Sequence, residues 1–144
     1  MKHTKAQAAM EFLMTYGWAL LVVVAAIGAL TYFGALSPNR FLPEKCTMPA
    51  GIACLDFVVS PTETILVISN SMGADITVNT LSVANCSNNI NTDMDNGDQK
   101  TLTLTGCDNG EAGVKIRGDV ILGYTKKNTG ITKNAVGDIV AQVQ

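Results

Sequence analysis

Between Glu11 and Arg40 the chain carries no Asp, Glu, Lys or Arg, and within that stretch Trp18 to Leu30 is an uninterrupted apolar block. The block is apolar on every side, so water is not the expected neighbour of any helical face. A helix from Phe12 to Leu36 would extend about 37 Å, enough to cross a hydrocarbon layer of about 30 Å. The run Val22-Val23-Val24 is β-branched, yet a lone strand in lipid would leave its backbone groups unpaired, so the helix is preferred. Ser37-Pro38 is the expected stop. This stretch explains an otherwise odd composition: 47% of the 144 residues are hydrophobic, which is ordinary, but only 15% are charged. A typical soluble domain has about 25%.

Three readings of the segment compete. A cleaved secretory signal fits poorly, because the block is long for an h-region and no A-x-A site with a polar sequel follows it. A plain anchor would leave the end bearing Lys2, His3 and Lys5 in the cytoplasm. The third is a helix that sits first in a membrane and is later withdrawn into a protein bundle. Glu11 bears on the last two. A carboxylate entering a membrane helix is costly and marks a functional site by default; at headgroup level it would instead favour the helix N-terminus through the macrodipole. Small residues recur along the segment, among them Gly17, Ala25, Gly28, Ala29 and Gly34. Ala25 and Ala29 form a small-xxx-small pair that allows close helix approach.

The run Lys5-Ala6-Gln7-Ala8-Ala9-Met10-Glu11-Phe12, continuing Leu13-Met14-Thr15-Tyr16-Gly17-Trp18-Ala19, resembles the class III signal sequence of archaeal type IV pilins. The resemblance covers about the first 45 residues, and Phe41-Leu42-Pro43-Glu44-Lys45-Cys46 looks like the linker of such pilins. It departs from the family at Ala6, where Gly is common, and at Ala9, where Ser is frequent; both keep a narrow side chain near the scissile bond. The resemblance implies that a prepilin peptidase removes residues 1–6 by cutting between Ala6 and Gln7. It also implies that Glu11 becomes the fifth mature residue and pairs with the new terminal amine of a neighbouring subunit, setting register. Cyclisation of Gln7 would abolish that amine. A buried pair of this kind sets geometry better than it adds stability, and losing one partner is severely disruptive. The family further implies an assembly ATPase and a membrane platform protein in trans; this chain has no nucleotide motif.

Beyond the linker the composition turns to Thr, Asn, Gly and Val, and residues 41–144 hold seven Lys/Arg against eleven Asp/Glu. The expected architecture is α+β: a hydrophobic helix over 7–37, a linker over 38–54 and an all-β head over 55–144, built as a small immunoglobulin-like sandwich. Short strand signals recur as such a sandwich requires. They are Leu55–Val59, Thr64–Ile68, Ile76–Val83 with a phase slip at Asn79-Thr80, Thr101–Thr105, and Ile139–Val143. Val114–Ile116 and Val120–Leu122 flank Gly118-Asp119, which is either a bulge within one strand or a hairpin turn.

Cys46, Cys54, Cys86 and Cys107 contain no C-x-x-C pair, which removes the zinc-ribbon and thioredoxin readings. All lie on one side of the apolar segment, so an extracellular head would oxidise them to two disulfides. Three connectivities are open; the local one would pin the linker and fasten the Asn/Asp-rich loop. Asn85-Cys86-Ser87 is the sole N-x-S/T sequon and a candidate glycosylation site. The stretch Asp93 to Asp98 fails the EF-hand template, because Gly97 takes a ligand position and no Glu closes the loop. No metal, cofactor or catalytic residue is expected. His3 is the single histidine, and no phosphate loop or nucleophile elbow is present. A net charge of -2 argues against nucleic acid as a partner.

The expectation is therefore a non-enzymatic prepilin, made in the cell membrane and exported as a homo-oligomeric helical filament serving adhesion or another cell-surface interaction. The alternatives are a non-polymerising single-pass surface protein with a binding head, and a minor pilin or pseudopilin.

Overall fold

The computed structural model describes residues 3–35 and 42–144, and the chain divides into two compact units between Phe41 and Leu42. The first unit is a single helix, α1 (His3–Tyr32), which continues without interruption through the Val22–Val24 run. It ends earlier than the Ser37-Pro38 signal indicates. Gly34 adopts φ 68°, Gly34 N–H donates to the Thr31 carbonyl and Ala35 N–H to the Leu30 carbonyl, each at 3.0 Å. This is Schellman closure, which a glycine makes cheap by taking the left-handed conformation. Pro38 lies outside the described residues.

The second unit is all antiparallel strand. Its elements are β1 (Lys45–Thr47), β2 (Ile52–Val59), β3 (Glu63–Asn70), β4 (Ile76–Val83), β5 (Cys86–Met94), β6 (Gln99–Thr105), β7 (Lys115–Lys126) and β8 (Thr132–Gln142). One sheet has the order β1-β8-β7-β4-β5 and the other β2-β3-β6. Setting the short β1 aside, the first, second and fifth strands form one sheet and the remaining four the other; the immunoglobulin constant arrangement expected from the sequence keeps the fourth strand with the first, second and fifth, so here β5 has changed sheets. The α+β expectation holds: one apolar helix is followed by a head of antiparallel strands.

Each strand follows from its side-chain pattern. In β3 alternate residues Thr64, Leu66, Ile68 and Asn70 are buried while Glu63, Ile65, Val67 and Ser69 face outward, the period of a pleated strand. In β4 the register shifts between Val78 and Thr80 against both neighbours, which is the phase slip read from the sequence. The extra residue, Asn79, turns its amide to donate to Thr125 Oγ1 at 2.8 Å. Gly118 makes no turn: β7 runs straight through it, pairing with β8 from Lys115 to Thr125. A Cβ at Gly118 would collide with the Cβ of Ala84, so the glycine is there for close approach of the β4–β5 turn. The core between the sheets is closed by Leu66, Ile68, Ile76, Leu81, Leu104, Leu122 and Ile139, all fully buried.

The head begins sooner than position 55. Within the stretch read as linker, β1 pairs with β8 and β2 starts at Ile52. The disulfides are Cys46–Cys54 and Cys86–Cys107, the local pairing. The first joins β1 to β2 and the second joins β5 to the loop after β6, so each fastens one open flank of the sandwich. Antibody domains place their bridge through the middle instead.

Candidate functional site

The site that the sequence singles out lies along α1, and its geometry begins with the helix surface. The stretch Lys5–Tyr32 is long and apolar enough to cross a membrane, and no part of it is buried within the chain. Phe12, Trp18 and Leu21 each leave 63% or more of their surface open. The span would extend about 42 Å. Its polar side chains are dealt with inside the helix: Thr15 Oγ1 donates to the Glu11 carbonyl at 2.9 Å, and Thr31 Oγ1 donates to the carbonyls of Ile27 and Gly28. Neither of these threonine hydroxyl protons is therefore left to be stranded in an apolar medium. Tyr16 and Trp18 sit at the middle of α1 and Tyr32 at its C-terminal end, with Tyr16 and Tyr32 about 24 Å apart along the axis. Tyr32 stands where an amphipathic interfacial anchor is usual.

The predicted residues fall on two stripes. Helical spacing aligns Glu11 with Ala25 and Ala29, about four and five turns further on, and puts Gly17 and Gly28 together about a quarter-turn away. A Cβ at either glycine would meet nothing within 4 Å, so their smallness serves no contact within this chain. Around Gly17 the side chains of Phe12, Tyr16, Leu20 and Val23 wall an apolar hollow of about 280 Å³, with the Phe12 and Tyr16 ring centroids 5.0 Å apart. Ala6 and Gln7 lie in the first turns of α1 and are exposed.

The head supplies features that sequence reading missed. Lys45 of β1 is ion-paired with Asp138 of β8, and Thr47 Oγ1 donates to the same carboxylate at 2.9 Å. The hydrogen bonds from Lys45 and Thr47 hold the Asp138 carboxyl below the usual carboxylate range. The hydrogen bonds from Thr77 and Lys127 lower Asp93 in the same way, and Asp93 raises Lys127 in return. Asp138 carries no local motif; only the β1–β8 register brings Lys45 within reach. The Asp93–Asp98 stretch is largely committed to its own turn: Asp98 Oδ2 accepts Asp95 N–H and Asp75 Oδ1 accepts Asn96 N–H. Among the described residues no three His, Cys, Asp or Glu side chains are grouped to hold a metal ion. Asn85 is exposed at the tip of the β4–β5 hairpin.

No protein-family model matches the chain, and no curated protein matches its sequence. What the chain itself carries is a helix apolar on all sides and a head with two disulfides. The first suits a membrane anchor or signal, and the second suits an extracellular environment.

Proposed function

We propose that the chain is a type IV-like pilin of archaeal kind: a structural subunit inserted in the membrane by α1, cut between Ala6 and Gln7, and polymerised through that helix. The observation that carries this reading is the helix surface. Large apolar side chains cover its whole circumference, while its glycines and alanines have no use within the chain itself. A plain anchor needs the first property and has no need of the second. In lipid the helices gain little from burial as such, since lipid is already apolar, so close approach at small residues has to supply the association. The match of the run from Lys5 to Ala19 to the class III signal pattern supports the same reading. In this scheme the heads cover the filament, where their Thr- and Asn-rich faces pack or bind without stranding charge.

Mass spectrometry of the native chain tests the reading directly. The expected mature N-terminus is Gln7, open or cyclised, and electron microscopy of material sheared from cells should show filaments containing the chain. A native chain still beginning at Met1 or Lys2 would overturn the pilin reading and leave the non-polymerising surface protein in its place.

A further inference from the structure

The β4–β5 hairpin holds three features on consecutive residues that no part of the assembly scheme uses. Asn85 is exposed, and its side chain makes no hydrogen bond among the described residues. Cys86 is buried and bridged to Cys107. Ser87 is paired with Ser82, as Cys86 is with Val83, so the turn between the strands is only Ala84-Asn85. Beside it lies a groove of about 330 Å³ that Asn85 lines together with Asp108, Gly110, Ile116 and Arg117.

We propose that Asn85 carries an N-linked glycan, that it is added before the Cys86–Cys107 bridge closes, and that its first sugar then lies in this groove. The inference rests on export of the head and not on polymerisation. The donor is a sugar chain carried on a lipid phosphate. Asn85 Nδ2 forms a bond to the anomeric carbon, the bond from that carbon to the phosphate oxygen breaks, and the amide proton leaves with the phosphate. A sequon is read through its Asn amide and its third-residue hydroxyl together, which requires Cys86 and Ser87 to leave the ladder so that residues 85–87 bend into one enzyme site. In the folded head the ladder and the bridge forbid that bend. Once attached, the sugar displaces no packed core side chain, because Asn85 is exposed at a hairpin tip on the rim of the groove. Arg117 and Asp108 offer it a donor and an acceptor, and Ile116 an apolar floor beside the bridge.

The test uses the full-length chain in its native membrane, pulse-labelled during synthesis, with free thiols alkylated at successive times and the peptide containing Asn85 read by mass spectrometry. Sugar mass on Asn85 is expected, appearing first on chains whose Cys86 is still alkylated. A thiol oxidant given during synthesis should lower occupancy, and Ser87→Ala should abolish it while leaving the bridge intact. Absence of sugar at Asn85 throughout would overturn the site. Bridged, unmodified chains that later acquire sugar would overturn the order of events. Both readouts are taken on the membrane-bound precursor, so either failure is separate from any failure of filament assembly.

Discussion

Asp138 shows how one carboxylate can decide where a domain begins. It accepts from both Lys45 and Thr47, so it holds the first strand of the head against the last. Its folded pKa is depressed, hence its contribution is present above the unfolded value and lost as pH falls through the folded one. The protection of the Lys45–Thr47 amides, with the intrinsic pH dependence of exchange divided out, should therefore be high at neutral pH and fall below pH about 4, whereas Asp138→Asn should show the lower protection at both. One residue earlier, Gly137 lies so close to β1 that a Cβ there would overlap the Thr47 carbonyl oxygen and crowd the Met48 sulfur. Gly137→Ala is expected to destabilise the head by about 1–3 kcal/mol, the cost of overpacking, read by denaturant unfolding. Neither residue is conspicuous in the sequence. Asp138 is one of eleven acidic residues in the head, and Gly137 has an ordinary strand sequence around it; their roles exist only through a pairing partner some ninety positions away.

Among the elements, those with two distinguishable faces were legible. β4 and β6 alternate apolar with polar residues because one face of each packs inward, β3 shows instead the unbroken apolar run Ile65–Ile68, and even the β4 bulge left its mark as a slipped phase. β5, reading Cys-Ser-Asn-Asn-Ile-Asn-Thr-Asp-Met, was missed, because it is an edge strand in which only Cys86 and Met94 are fully buried. β1 was missed because three residues are too few for a period. The helix was legible in its existence and overrun at its end, where Gly34 outranked the proline that drew attention. The disulfides belong to this scale as well, since each ties elements of opposite sheets. Their sequence separations are 8 and 21 residues, for which loop-closure entropy gives about 2.6 and 3.4 kcal/mol. Replacing both cysteines of a pair by Ala should accordingly lower head stability in both cases, and more for Cys86–Cys107, in denaturant titrations of the full chain held in detergent.

For the molecule as a whole, the helix is what the isolated chain cannot satisfy, and Glu11 is its most exacting residue. In the filament reading, Glu11→Ala removes one partner of a poorly solvated pair, and incorporation into filaments should fall by about tenfold or more, counted against the amount of precursor in the membrane. A variant that assembles at the normal rate would show that the carboxylate serves only the membrane interface. In the same reading, a filament under tension would load the head through the chain that enters at Leu42. Tension there would peel Lys45 from β8 and go no further along β1, because Cys46 is bonded covalently to Cys54. The strain then passes straight into β2, whose ladder with β3 runs from Ile52 to Val59, while residues 47–53 stay slack. The first bridge thus sets the point of loading: a three-residue strand that would unzip easily is bypassed, and the whole sandwich becomes the spring.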